Sequence, residues 1–272
     1  MKLLSIIIVL LPVFVSAQNL SSGQLQVLSN IDVRESMITG NSNKIYLDGS
    51  TASLSSVTIH QAGNKNRVGD SLPNSTVGGS ANTVSIKQGS VSGTSLADFT
   101  VSGGGNTIDL QQSFGQWTHL PNSSDVGNHY SSMNITGNSN LVIVKQSDDT
   151  GLPAKQRSII TVSGNQNIMQ LNQHGSGDKT FFGNVGGSQN IIDLYQQDSG
   201  SHTLDVTSTG NLNVISVIQR DSGSHRASIT VNNALGPSTI SVLQQGATSG
   251  LINIQQNCAN LSGCSVSVIQ GQ

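Results

Sequence analysis

The chain has 272 residues, of which 10% are charged and 3% aromatic, and its formal net charge is -2. Twelve Lys and Arg set against 14 Asp and Glu supply no basic stripe for phosphates, which excludes nucleic-acid recognition. So polar a composition, with 30 glycines, would imply disorder if the apolar residues were unpatterned, but they alternate with period two.

Residues 1–17, MKLLSIIIVLLPVFVSA, carry one Lys, an apolar run from Leu3, and small residues at Ser16 and Ala17 where a signal peptidase cuts. The apolar run is shorter than the ~20 residues a helical membrane span needs, so it reads as a signal peptide with the mature chain beginning at Gln18. Residues 18–39 form an N-terminal segment in which Ile31, Val33, Met37 and Ile38 can pack as a strand capping the first coil.

From Gly40 onward one motif recurs: Gly, then Asn three positions later, then two aliphatic residues and a Gln on alternate positions. Its full copies are Asn82-Val84-Ile86-Gln88, Asn106-Ile108-Leu110-Gln112, Asn140-Val142-Val144-Gln146, Asn167-Met169-Leu171-Gln173, Asn190-Ile192-Leu194-Gln196 and Asn213-Ile215-Val217-Gln219. Asn43-Ile45-Leu47 is a partial copy without the Gln. Ser238-Ile240-Val242-Gln244 and Cys264-Val266-Val268-Gln270 replace the Asn. In a strand the motif residues share one face, and their near-constancy against a variable opposite face marks them as buried.

A second alternating stretch precedes each Gly-x-x-Asn: Val57, Ile59 and Gln61; Phe99 and Val101; Met133 and Ile135; Ile160 and Val162; Leu204 and Val206; Ile229 and Val231. Gly-Asn-x-Asn between the two stretches tolerates positive φ and reads as a tight arc. The unit is strand, turn, strand, and an insertion at 113–132 holding Trp117, His119 and Tyr130 interrupts the series. Cys258 and Cys264 are spaced for a local disulfide across a turn after export. The last 46 residues, from Ala227, hold no charged side chain, so the C-terminal coils are expected to form the faster self-association edge.

Two short strands cannot bury their apolar faces alone, whereas stacked repeats bury a continuous core and pair every strand with its neighbours. The pattern therefore predicts an all-β fold: a β-solenoid of about nine to ten strand-turn-strand coils spanning 40–272 with internal Asn/Gln ladders. In register, each buried amide donates to the carbonyl of its neighbour; the end coils keep an open edge.

Gly-x-x-Asn with Gln six residues on, together with Ser55, Gln61, Gly63 and Asn66, resembles the curlin repeat of bacterial curli subunits, and the resemblance runs from Gly40 to the end. It implies a secreted structural subunit that is exported through the periplasm and self-assembles into extracellular amyloid fibres at the bacterial cell surface, for adhesion and biofilm matrix. It further implies as partners other copies of the chain, a related curli subunit or nucleator, an outer-membrane secretion pore and chaperones, with a host or abiotic surface as the material met. Residues 18–39 would then correspond to the stretch that addresses the secretion pore. The chain departs from the repeat at the first-strand Gln: this survives at Gln61 and Gln256 but is replaced by Val77, Val101, Ile135, Val162, Val185 and Ser208, leaving one Gln ladder in place of two.

No catalytic motif or cofactor site emerges, and the reading is of a non-enzyme. Asp109 and Asp193 take the same outward repeat position several coils apart, too far to cooperate as a hydrolase pair. Matching Asp-Ser-Gly-Ser-His turns set His202 and His225 one coil apart, an arrangement that can bind a transition metal or sense pH. Two ligands make a weak metal site, and the pair reads as exposed turn histidines; a functional pair would alter fibre formation near pH ~6.5. Asp125, Asp148 and Asp149 lack a calcium-loop spacing. Trp117, His119 and Tyr130 read as anchors of a long loop, the other reading being a carbohydrate-gripping patch. The working residues are the ladder side chains Asn82, Gln88, Asn106, Gln112, Asn140, Gln146, Asn167, Gln173, Asn190, Gln196, Asn213, Gln219, Gln244 and Gln270. The competing function is a monomeric β-solenoid adhesin that binds a carbohydrate or other surface.

Overall fold

Alternating apolar residues in short segments with Gly turns fold here into parallel strands stacked as a β-solenoid. The structure is a computed structural model; it describes residues 24–29, 31–38, 43–69, 75–90, 93–112, 128–148, 154–232 and 236–271. Residues 1–17, read from the sequence as a signal peptide, lie outside them.

Each coil gives one strand to each of two sheets. The first sheet runs Gln24–Ser29, Lys44–Gly49, the short pair Asn66–Val68 and Ser75–Val77, Thr94–Ser102, Asn128–Asn138, Lys155–Asn165, Lys179–Val185, His202–Ser208, Arg226–Val231 and Leu251–Gln256. The second is ten-stranded: Ile31–Ile38, Ser55–Gly63, Thr83–Ser90, Thr107–Gln112, Leu141–Ser147, Ile168–His174, Ile191–Gln196, Val214–Gln219, Ser238–Gln244 and Cys264–Gln270. Every ladder between strands is parallel, because each chain turn returns to the same side one level further along. A small third sheet, Ala52–Ser53 with Gly79–Ser80, lines the arc of two early coils.

Between the sheets lies one apolar core, with columns such as Ile86, Leu110, Val144, Leu171, Leu194 and Val217 buried from level to level. Burial alternates residue by residue, as in Thr107–Gln112 and His202–Ser208, so the period-two pattern marks the inward face directly. Removing each inward aliphatic residue from water contributes roughly 1.5–3 kcal/mol, and stacking alone completes that burial.

Three expectations need correction. Lys44–Gly49 belongs to the first sheet and Ser55–Gly63 to the second, where Gln61 pairs with Gln88. The segment read as the first half of a repeat is thus a second-half strand, because both halves carry the same alternation and the spacing between them varies. The insertion is also shorter at its end: Asn128–Asn138 is a strand whose first residues pair with Thr94–Asp98, leaving 113–127, with Trp117 and His119, outside the described residues. Tyr130 sits in that strand, its ring 5.6 Å from the Arg157 guanidinium carbon of the next coil, and not in a loop patch.

Candidate functional site

The ladder residues fall into two columns. Along the second sheet the side-chain amide Nε2 of each Gln donates to Oε1 of the next, from Gln61 through Gln88, Gln112, Gln146, Gln173, Gln196, Gln219 and Gln244 to Gln270, at 2.8 to 2.9 Å. The same Nε2 reaches across the corner to the first sheet: Gln112 to Leu96 O at 3.1 Å, Gln146 to Tyr130 O at 3.1 Å, Gln219 to Thr203 O at 3.1 Å. Gln fits this position because its reach joins the levels and closes each coil with one group. Buried amides would otherwise cost roughly 1–3 kcal/mol each.

The Asn column runs the other way. Nδ2 of Asn106, Asn140, Asn167 and Asn190 donates to Oδ1 of the preceding Asn at 3.0 to 3.1 Å, and each of their backbone N–H groups donates to the same oxygen. Nδ2 also serves the turn: in Asn140 it reaches Thr136 O at 3.3 Å and Gly164 O at 2.9 Å. Asn213 ends the series, accepting from the Ser238 N–H at 3.1 Å, and Ser55 begins it by accepting from Asn82 N–H.

The turn before each Asn has positive φ at its Gly and again two residues later, as at Gly137 (104°) and Ser139 (55°). A side chain could adopt the first angle only with strain, and space forbids it as well: a Cβ at Gly137 would lie 1.9 Å from Gly164 O, and one at Gly164 1.8 Å from Gly187 O. The glycines let successive arcs touch backbone to backbone.

On the first sheet a further buried polar column appears, which sequence reasoning missed. Ser95, His129, Gln156, Lys179 and His202 pair level by level, and His225 follows. All are buried. Lys179 Nζ donates to the carbonyls of Gly177, Asp198 and Gly200, each at 2.8 Å. Burial pushes its pKa down to about 8, against the opposing pull of Asp198, Asp178 and Asp148. The available signal was phase: Lys179-x-Phe181 and Gln156-x-Ser158-x-Ile160 put the polar residue in step with the inward apolar ones.

His202 and His225 are therefore not exposed turn residues. Their rings stack with centroids 5.3 Å apart and planes at 4°. His202 Nε2 lies 2.8 Å from Gln197 O, which places its proton there and leaves Nδ1 to accept the His225 N–H at 3.4 Å. Burial above all, then the Lys179 charge, pushes the His202 pKa down to about 4, so a charge switch near pH 6.5 does not fit this environment. Among the described residues no three His, Cys, Asp or Glu gather to hold a metal ion. Asp109 and Asp193 do share one outward row, with Ile143 and Gln170 between them.

Cys258 and Cys264 are bonded, pinning the arc of the last coil. That coil, Leu251–Gln256 and Cys264–Gln270, ends both sheets. Its inward Val266 and Val268 are only partly buried, and Leu251, Ile269 and Leu261 are 67%, 72% and 78% exposed. Gln256 is 9% exposed, yet neither side-chain atom has a hydrogen-bond partner. Gln270 accepts from Gln244 and terminates the ladder. Comparison of the chain with protein-family models, curated proteins and solved structures gives no match.

Proposed function

We propose that the chain is a secreted structural subunit of extracellular, curli-like amyloid fibres that serve adhesion and biofilm matrix, joined end to end through its C-terminal coil. The observation that carries the reading is the stack itself: parallel strands paired level by level in two sheets, with a side-chain amide ladder running from Gln61 to Gln270. Open parallel edges template another strand, and no charged residue after Arg226 opposes pairing. The curlin-like repeat and the signal-peptide-like segment 1–17 support export and a fibre role. The partners are copies of this chain or a related subunit or nucleator, with a secretion pore and chaperones on the route out. The ladders and the ends do the work, and no catalytic role is assigned.

The test uses residues 18–272 freshly diluted from denaturant, followed by thioflavin T fluorescence and electron microscopy with and without preformed seeds. Unbranched fibrils whose growth the seeds accelerate are the expected result. A stable monomer at micromolar concentration would overturn the assembly reading and leave a surface-binding solenoid.

A further inference from the structure

The two sheets present unlike faces to solvent. On the first, Thr100, Asn134, Thr161, Asn184, Thr207 and Thr230 follow one another level by level, a row of hydroxyls and amides that water satisfies. On the second, Leu141, Ile168, Ile191 and Val214 do so instead, and Tyr195 and Ile218 pair two alternate positions further along the same strands. Ile191, Val214, Tyr195 and Ile218 are 36% to 44% exposed. Strand propensity does not require aliphatic residues there, because threonine serves an outward position equally well, as the first sheet shows. Contiguous apolar residues on an outward face mark a surface that a partner covers.

Two charges border this patch and select the partner. Lys145 and Asp193 lie two levels apart on the same outward face, and neither has an ion-pair partner among the described residues. Suppose a second copy packs face to face with its rod reversed, the two-fold axis running along Ile168–His174. Each outward row then meets itself in opposite order. Ile168 meets the partner's Ile168, Leu141 the partner's Ile191, and Asp109 the partner's Ser216, while Lys145 meets the partner's Tyr195 with the partner's Asp193 diagonal to it. Symmetry repeats each contact, which gives two ion pairs around an aliphatic centre. A two-fold along the rod would instead lay Asp193 on the partner's Asp193, Asp109 on the partner's Asp109 and Lys145 on the partner's Leu141, burying like charges against each other. The strands from Ser55–Gly63 to Cys264–Gln270 make a face of roughly 43 by 20 Å at ~4.8 Å per level and ~3.3 Å per residue, enough for the ~800 Å² per partner of a standard interface.

We infer that the outward face of the second sheet is a lateral interface, on which a second copy of this chain packs face to face and antiparallel about Ile168. The inference is separate from end-to-end growth, because it concerns how rods pair side by side. A fibre built from such pairs has no overall direction, since its two rods point opposite ways.

The experiment uses residues 18–272, refolded and studied before any thioflavin T signal rises. Sedimentation velocity should show a dimer, and Ile191→Thr combined with Val214→Thr, both at outward strand positions, should weaken it at least about ten-fold. Single-cysteine variants then locate the contact, since Cys258 and Cys264 are bonded to each other and leave no free thiol. A bismaleimide spanning the ~10 Å between packed sheets should link Ile168→Cys to its own copy and leave Ser216→Cys and Thr161→Cys unlinked. A monomer at micromolar concentration would overturn the inference, and seeded fibrils grown from that monomer would leave end-to-end assembly standing. A dimer indifferent to the two threonine substitutions, or one that links through Ser216→Cys or Thr161→Cys, would overturn it equally. If the Ile168→Cys dimer forms and no fibrils do, lateral pairing stands and the fibre reading falls.

Discussion

His202 shows how strongly one residue's chemistry depends on its level in the stack. Its ring is packed between Lys179 of the preceding coil and His225 of the next, with Asp198 in its own turn and the Gln197 carbonyl at Nε2. Protonating Nδ1 would remove the acceptor of the His225 N–H and put a second positive charge beside Lys179. The folded pKa, about 4, lies below the ordinary 6.5, so between those values the unfolded chain binds a proton that the folded chain refuses. Stability is then full above pH 6.5 and falls as the pH drops toward 4, below which the loss levels off. Urea unfolding of residues 18–272 across this range should show that slope, and His202→Gln should flatten it, because Gln156 already fills the same column two levels away. An unchanged slope in the variant would assign the acid sensitivity to other groups.

At the scale of an element, a ladder position is worth what its two neighbours make of it. Gln146 is paired on both sides and also donates to the Tyr130 and Gln156 carbonyls, so Gln146→Leu strands Gln173 Oε1 and the Gln112 donor in the core. The variant is expected to lose roughly 2–4 kcal/mol, whereas Gln270→Leu, with one neighbour, should lose less than about 1 kcal/mol. Equal losses in denaturant titrations would contradict a cooperative ladder. These positions were legible from sequence because Gln and Asn recur in step with buried aliphatics, and stacking then fixes their partners. The Lys179 and His202 column was not, since four residue types share its six positions and no fixed motif marks it. Assignment of Ser55–Gly63 failed for the opposite reason: both strands of a coil show one pattern, and only pairing tells them apart.

The whole molecule is polar along its axis. Every Gln amide donates toward the C-terminal end, so the ladder presents an amide donor there and an unpaired acceptor, Gln61 Oε1, at its start. Charge is distributed with the same asymmetry, since Arg220, Asp221 and Arg226 are followed by 46 uncharged residues. Growth should therefore be faster where the uncharged end is exposed. Deleting residues 236–272 would uncover the strand edges of Arg226–Val231 in the first sheet and Val214–Gln219 in the second, bringing those charges to the new edge. Charged edges oppose strand addition, and the truncated chain should elongate wild-type seeds at least about ten-fold more slowly in a thioflavin T assay, although its remaining coils keep their ladders. If the truncated chain elongates at the wild-type rate, the uncharged C-terminal coils do not set the growth rate and only lengthen the rod.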